Sequence, residues 1–210
     1  MKEKKHENED SELTPQELRR EIISWVCWLL AAVLITICLR EFVLVNAKIP
    51  TSSMATQIEP GDRLVGFRLA YLFSEPERGD IVIFEYPVDE EEIFIKRVIG
   101  LPGETVEMKD GKIYIDGSTT PLEEDYLPEE WTVENDGYYY EVPEHSYLLL
   151  GDNRNVSLDA RYWPQEAQNQ ALLEGVELSD EEAWQYSFVE EDEILGKAIF
   201  KYWPSIQTLK

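Results

Sequence analysis

The stretch at residues 81–100 reads IVIFEYPVDEEEIFIKRVIG and contains two apolar runs rich in β-branched and aromatic side chains, at 81–86 and 93–99. Such runs are typical of β-strands. Asp110-Gly111 stands between two further strand-like stretches and predicts a two-residue hairpin. Other short apolar runs, bounded by Gly, Pro or Asp, follow at 112–115, 147–150 and 195–203. The chain after residue 41 is therefore predicted to be mostly β.

An apolar run precedes this β-rich part. Residues 22–39 (IISWVCWLLAAVLITICL) contain no charged side chain and lie between Arg19-Arg20-Glu21 and Arg40-Glu41. A helix of this length can span the hydrocarbon layer of a bilayer. A cleavable signal peptide is the alternative. However, the apolar run is longer than that of a typical signal peptide, and the polar segment before it is rich in acidic residues. Residues 22–40 are therefore predicted to form a transmembrane helix, with the lipid bilayer as a partner.

Lysine and arginine residues favour one direction of insertion. Those before the span are Lys2, Lys4, Lys5, Arg19 and Arg20, whereas only Arg40 and Lys48 follow within a comparable distance. Positive residues remain preferentially on the cytoplasmic side. The sequence predicts a single-pass cell-membrane protein with a cytoplasmic tail at 1–21 and an extracytoplasmic β domain at 41–210.

Two segments of this domain depart from the β pattern. Residues 117–142 are acidic and rich in Pro and Tyr, which predicts an appended loop or small hairpin without chemistry. Residues 164–188 are predicted to form a helical insertion, because Pro164 suits a helix start, Gly175 a helix stop, and Ser179 with Glu182 a capping box.

Charge and cysteine content exclude several classes of function. The formal net charge of −24 would repel the phosphates of a nucleic acid, so no nucleic-acid partner is expected. The two cysteines, Cys27 and Cys38, both lie in the apolar run. The rest of the chain cannot form a cysteine protease or zinc-thiolate site. The acidic surface is expected to serve solubility, although cationic segments remain possible partners.

A serine and a lysine form the better of two candidate sites for hydrolysis. After the apolar run the chain has one histidine, His145, whose turn-like setting favours a surface residue over a catalytic base. Ser53 lies in a small polar turn, PTSSM at 50–54. Strand alternation puts Lys96 between Phe94 and Val98, where desolvation would lower its pKa and make it a base. The residues alone do not exclude that Lys96 is an ordinary strand lysine whose amine extends into water.

Six short blocks in order resemble the motifs of type I signal peptidases. They are PTSSM at 50–54, GD at 61–62, RGDIV at 78–82, KRVIGLPG at 96–103, GDNR at 151–154 with SLDAR at 157–161, and GKA at 196–198. The resemblance covers residues 22–204. It implies a signal-peptidase-like antiparallel β catalytic domain behind one N-terminal transmembrane helix, acting on signal peptides of exported preproteins without a metal or organic cofactor.

The resemblance also implies a role for individual residues. Ser53 would be the nucleophile and Lys96 the general base, with the Thr51 hydroxyl and the Ser53 backbone N–H forming the oxyanion hole. Ser157 would orient the lysine amine. Structural support would come from the pairs Asp152 with Arg97 and Asp159 with Arg161.

Shallow apolar subsites for small side chains at substrate positions −1 and −3 are implied as well. The matching residues are Ile49, Met54, Ile58, Ile83, Phe94 and Ile95, although several could simply be core. The chain departs from the family pattern at Thr56-Gln57, where Pro-Thr is common, and at Ala160, where Ser is frequent. Neither change removes a reacting group.

Two other functions remain open at this point. A self-cleaving Ser-Lys protein of the LexA type would share the dyad, but such proteins are soluble and carry a DNA-binding segment. A membrane-tethered binding domain without catalysis would require the motifs at Ser53 and Lys96 to be inert.

Overall fold

The computed structural model describes residues 14–55 and 57–209, so Thr56 and most of the predicted tail at 1–21 lie outside the described residues. Contacts divide the chain into two compact units, one ending at Glu41 and one beginning at Phe42. In the first unit, helix α1 (Pro15–Cys38) begins before the predicted residue 22. The capping box of Thr14 and Glu17 sets this start, because it satisfies the first backbone N–H groups of the helix.

Helix α1 has the length and composition of a membrane span. The most apolar 18-residue stretch of the helix has a mean hydropathy of 2.2, and the side chains of the helix are exposed. No other helix in the described part of the chain meets that description. A short π-helical turn, Leu39–Val43, follows it.

The second unit is built mainly from antiparallel β-strands, as the sequence predicts. The strands are β1 (Leu44–Lys48), β2 (Arg63–Phe67), β3 (Ile81–Tyr86), β4 (Asp89–Gly100), β5 (Thr105–Lys109), β6 (Lys112–Ile115), β7 (Tyr138–Glu141), β8 (Ser146–Leu150), β9 (Phe188–Glu190), β10 (Ile194–Trp203) and β11 (Gln207–Thr208). Among the described residues, one sheet has the order β1-β2-β10-β3-β4-β8-β9, with β11 paired to β10. A smaller sheet has the order β6-β5-β7.

The apolar runs at 81–86 and 93–99 form the centre of the large sheet. Val82 pairs with Lys96 and Ile81 with Arg97, so β3 and β4 are antiparallel neighbours. Val82, Phe84, Val98 and Ile99 are fully buried in the main core. Continuous apolar runs, rather than strict alternation, are what strands buried on both faces require.

The smaller sheet contains the hairpin that the sequence predicts. Asp110 and Gly111 connect β5 to β6 with positive φ at both residues, 49° and 71°. A type I′ turn needs this geometry, which Asp-Gly adopts at low cost. The segment at 117–142 forms a loop and then strand β7, which pairs with β5.

Two short helices occupy most of residues 164–188. They are α2 (Trp163–Leu173) and α3 (Asp180–Gln185), and the capping box of Ser179 and Glu182 begins α3. Buried Ala167 and Ala183 form their inner faces, and the Trp184 ring stacks on Tyr140 at 4.8 Å. The segment is therefore packed against the β core.

In the described residues, the unpaired strand edges of the large sheet include those of β1 and β4. β1 ends the strand order and pairs only with β2. β8 pairs with β4 only at Arg97, Val98 and Gly100, which leaves the outer edge of β4 open from Asp89 to Lys96. Such edges offer backbone N–H and C=O groups to an added chain.

Candidate active site

Ser53 lies in a tight turn that follows β1. The Ile49 N–H donates to Asp62 O at 3.0 Å, and the Gly61 N–H donates back to Ile49 O at 2.8 Å. After Ser53, the Ile58 N–H donates to Met54 O at 3.1 Å, and both of these side chains are buried. The turn is thereby fixed on both sides of the serine.

Lys96 reaches Ser53 from strand β4, which is separated from β1 by three strands in the sheet order. Its Nζ lies 2.8 Å from Ser53 Oγ, which is hydrogen-bonding distance. The lysine is 3% exposed, and its Nζ also lies 5.4 Å from the centre of the Phe94 ring. The two residues that the sequence selects as nucleophile and base are thus in direct contact.

Burial lowers the pKa of Lys96 to about 8. Desolvation disfavours the charged amine, and the nearby Arg161 guanidinium acts in the same direction. The carboxylates of Asp159 and Asp152 oppose this shift. A substantial fraction of the amine is therefore neutral near pH 8, where a free lysine with a pKa of ~10.4 would be almost wholly protonated.

Two hydrogen-bond donors are available for an oxyanion. Thr51 Oγ1 lies 3.4 Å from Ser53 Oγ, so the threonine hydroxyl points toward the nucleophile. The Ser53 backbone N–H has no acceptor among the described residues.

The loop after β8 is hydrogen-bonded to the turn that contains Ser53. The Asn153 N–H donates to Ser53 O at 3.0 Å, and the Asn153 amide Nδ2 donates to Ser52 O at 3.3 Å. A Cβ on Gly151 would lie 2.7 Å from Ser53 O and 2.1 Å from Ser157 Oγ. Glycine is therefore required at 151 because the backbone of the loop approaches the turn so closely.

Ser157 is buried, and its Oγ has no hydrogen-bond partner in the described part of the chain. The hydrogen bond to the Lys96 amine, which the motif resemblance implies, is not made in this arrangement. Its orienting role stays a prediction.

The two expected ion pairs lie beneath the dyad. Arg97 Nε and Nη2 donate to the two Asp152 oxygens, both at 2.7 Å. Arg161 Nε and Nη2 donate to the two Asp159 oxygens at 2.8 and 2.9 Å. Burial raises the pKa of Asp152, whereas Arg161 outweighs burial at Asp159 and holds the pKa of that carboxyl below its ordinary value.

Ser53 and Lys96 both line a cavity of about 540 Å³. β1 and the turn at 49–54 form one wall, and residues 92–96 of β4 form the other. Both walls carry the unpaired strand edges described above. Four of the predicted pocket residues line it, namely Ile49, Met54, Phe94 and Ile95.

Ile58 and Ile83 lie in the core, which is the alternative that the sequence left open for these residues. Both are fully buried and pack with Leu64 and Ile81 in a core cluster below the cavity, which they do not line. Sequence reasoning missed other lining residues, which are Val45, Ala47, Ile93, Val156 and Leu158. The alternation of apolar residues along β1, including Val45 and Ala47, was the available signal.

His145 does not take part in this arrangement. Its side chain is 87% exposed, lies 3.8 Å from Glu191 and is absent from the cavity lining. The predicted surface position of His145 is therefore confirmed.

Comparison with known proteins agrees with this geometry. Residues 22–203 match the family described as signal peptidase, peptidase S26. Signal peptidase I of Leptolyngbya laminosa is 35% identical over 185 residues, covering 82% of this chain and 75% of that protein. The chain belongs to this family. The motif resemblance read from the sequence is thereby confirmed, and the chain is an enzyme of the type I signal peptidase class.

Other relatives carry similar descriptions. Probable signal peptidase I-2 of Synechocystis sp. is 34% identical, covering 84% of this chain and 71% of that protein. The crystal structure of a signal peptidase I from Enterococcus faecalis V583 matches with a TM-score of 0.42 and 32% identity, covering 59% of this chain and 97% of the other. Cleavage of signal peptides is the activity that the family match and the two sequence relatives support.

Proposed function

We propose that this peptidase is a membrane-anchored serine endopeptidase that releases exported preproteins from their signal peptides, with Ser53 as nucleophile and Lys96 as general base. The observation that carries the proposal is the 2.8 Å contact between Lys96 Nζ and Ser53 Oγ. A base within hydrogen-bond reach of a hydroxyl is the basic requirement of nucleophilic catalysis.

The reaction follows from the positions of these groups. Neutral Lys96 accepts the proton of Ser53 Oγ while the oxygen attacks the scissile carbonyl carbon. The resulting oxyanion accepts hydrogen bonds from the Thr51 hydroxyl and the Ser53 backbone N–H. The protonated lysine then gives its proton to the leaving amine, which leaves an ester on Ser53. A water molecule, deprotonated by Lys96, hydrolyses that ester and restores the enzyme.

Ser157 has a proposed supporting role in this cycle. Its buried hydroxyl has no hydrogen-bond partner among the described residues, and we propose that it orients the Lys96 amine during catalysis. Ser157→Ala is expected to lower kcat with little change in KM.

The shape and lining of the cavity support a signal peptide as substrate. An extended peptide could add hydrogen bonds to both open edges, of β1 and of β4, and run toward Ser53. Ile49, Met54, Phe94 and Ile95 provide an apolar lining suited to small side chains at positions −1 and −3. The cavity alone would admit other extended apolar peptides, so family membership is what selects signal peptides.

The N-terminal helix supports membrane anchoring. α1 is apolar enough to span a bilayer, and Arg19 and Arg20 lie at the end that would remain cytoplasmic. The domain from 41 to 210 would then face the extracytoplasmic side. Protease protection in sealed membrane vesicles tests this orientation, and digestion of the domain in inside-out vesicles alone would contradict it.

Cleavage of a purified preprotein in detergent tests the catalytic assignment. Ser53→Ala and Lys96→Met should each abolish cleavage in trans, whereas His145→Ala should retain wild-type activity. A folded Ser53→Ala that still cleaves would overturn the assignment. Wild-type enzyme that cuts only itself would favour a self-cleaving Ser-Lys protein, and absence of any cleavage would favour a binding domain.

A further inference from the structure

Two side chains of the acidic segment at 117–142, Glu124 and Tyr126, lie against the ion pairs beneath the dyad. The composition of this segment gave no indication of a role in chemistry. The Glu124 and Arg154 side chains are nevertheless only 6% and 2% exposed where they meet. A buried ion pair is weakly screened by solvent, and removal of either partner is strongly destabilising because it leaves an unpaired buried charge.

Glu124 connects to the nucleophile through the loop after β8. Its carboxylate accepts from Arg154 Nη2 at 2.5 Å and from Nη1 at 3.4 Å. Arg154 Nε donates to Gly151 O at 3.0 Å, which closes the loop on itself. Asn153, the residue before Arg154, donates its N–H to Ser53 O at 3.0 Å. Glu124 therefore fixes the part of the loop that supports the serine turn.

Tyr126 connects the same carboxylate to the base. Its hydroxyl donates to Glu124 Oε1 at 2.6 Å, and the Arg97 guanidinium lies over its ring at 4.0 Å. Arg97 directly follows Lys96 in β4 and is held by Asp152 on its other side. The tyrosine therefore packs against the residue that fixes the position of Lys96 along the strand.

The segment has further connections to the same loop. Asn155 Oδ1 accepts from the backbone N–H groups of Thr132 and Val133 at 2.8 and 3.1 Å. The Trp131 ring lies under the Arg154 guanidinium at 4.9 Å. These contacts keep the acidic segment closed over the loop.

We infer that Glu124 and Tyr126 are positioning residues for the peptidase reaction: together they hold the loop at 151–157 and strand β4 so that Ser53 Oγ and Lys96 Nζ stay in contact. The inference rests on the proposed function of Ser53 and Lys96. Neither residue touches the reacting atoms, and both act through the arginines Arg154 and Arg97.

Loss of this support has two expected effects on the site. A displaced loop lengthens the contact between the serine and the lysine, and misplacement of reacting groups by about 1 Å can lower a rate by about 10²-fold. A loosened loop also admits water to Lys96. Since burial is the main cause of its lowered pKa, with Arg161 acting alongside and Asp159 and Asp152 opposing, hydration raises the pKa toward its ordinary value.

Steady-state kinetics of the full-length enzyme in detergent, on a signal-peptide substrate, test the inference. We expect Glu124→Gln and Tyr126→Leu to lower kcat by about 10- to 100-fold with little change in KM. The rising limb of kcat/KM should move to higher pH. Glu123→Gln makes the same change of charge one residue earlier, at an exposed position, and should match wild type.

Tyr126→Phe is the milder variant, because it removes only the hydroxyl and keeps the ring on Arg97. It should show a smaller loss of kcat than Tyr126→Leu. If Glu124→Gln and Tyr126→Leu do not fold, Tyr126→Phe tests the inference in their place. All assays are run well below the melting temperature of each variant.

The contacts are merely structural if folded Glu124→Gln and Tyr126→Leu have wild-type kcat and an unchanged rising limb in the pH profile of kcat/KM. If only Tyr126→Phe folds, the same result in that variant leads to the same conclusion. Ser53→Ala in the same assay separates the two proposals. If it is inactive while the Glu124 and Tyr126 variants behave as wild type, only the positioning inference fails. If Ser53→Ala is active, the assignment of the dyad fails.

Discussion

Lys96 Nζ lies 2.8 Å from Ser53 Oγ, although the two residues are 43 positions apart in the sequence. One belongs to a turn after an edge strand and the other to a central strand, so the contact depends on how the large sheet brings β1 and β4 to the two walls of one cavity. The contact joins a hydroxyl to a buried amine that loses its proton easily.

Loss of the neutral amine should abolish catalysis even when a cation is kept. Lys96→Arg preserves the charge, but a guanidinium does not release its proton in a protein, so the variant should be as inactive as Lys96→Met. Lys109→Arg, on an exposed position of the small sheet, is the control and should be fully active. Measurable turnover by a homogeneous Lys96→Arg preparation would mean that another group is the base.

Removal of the Thr51 hydroxyl should slow the chemical step. Thr51→Val keeps the shape of the side chain but lacks the donor, and we expect kcat to fall by about 10²- to 10³-fold. Thr51→Ser retains the donor and should stay active. Near wild-type kcat in Thr51→Val would show that other groups bind the oxyanion.

The pH dependence of kcat/KM should report the lowered pKa of Lys96. The base must be neutral to act, so activity rises as pH rises through the pKa of the amine, about 8 in the folded enzyme. The measurement is kcat/KM on a soluble peptide across the alkaline range. A rising limb near ~10.4, the value of a free lysine, would show that the amine is solvated.

Lys96→Met should be more stable than wild type at neutral pH. The folded pKa of this lysine lies below its unfolded value, so between about pH 8 and 10.5 the unfolded chain binds more protons and the free energy of unfolding rises with pH. At neutral pH the lysine therefore costs up to about 3 kcal/mol, which methionine avoids. Chemical denaturation should show a difference that shrinks as the pH approaches 10.5. An equal stability of both proteins at neutral pH would argue against a desolvated amine.

The helical segment at 164–188 should contribute to stability more than to chemistry. Trp184 stacks on buried Tyr140, so Trp184→Ala should lower the free energy of unfolding by about 2–3 kcal/mol. No residue of the segment lines the cavity, so kcat of the folded variant should be unchanged. Leu173→Ala, at an exposed position on α2, is the matched control and should alter stability by less than about 0.5 kcal/mol. A loss of kcat in a folded Trp184→Ala would connect the segment to the site.

Local sequence patterns were sufficient for much of this fold. The strands at 81–86 and 93–99, the Asp110-Gly111 hairpin and the capping box at Ser179 each depend on residues close together in the chain. Propensity, turn conformation and capping act over a few residues, so they can be read without knowing the topology. The start of α1 was missed because the Thr14 and Glu17 cap extends the helix into polar residues before the apolar run.

The apolar pocket shows where such patterns fail. Ile49, Ile58, Ile83 and Ile95 all belong to one buried core cluster, but only Ile49 and Ile95 also line the cavity. An apolar side chain is equally suited to either environment. Only the packed structure decides which of them a substrate could meet.

By itself the sequence determined the β-rich class and the apolar helix, because these depend on composition and local patterns. Its short ordered motifs, through their family resemblance, selected Ser53 and Lys96 as candidate nucleophile and base. The tertiary structure alone decided that Glu124 and Tyr126 lie beneath the site, that Ser157 has no partner among the described residues, and that the unpaired edges of β1 and β4 form the two walls of one cavity. The physical reason is that these relationships join distant parts of the chain through burial, and burial is a property of the packed molecule rather than of any short segment.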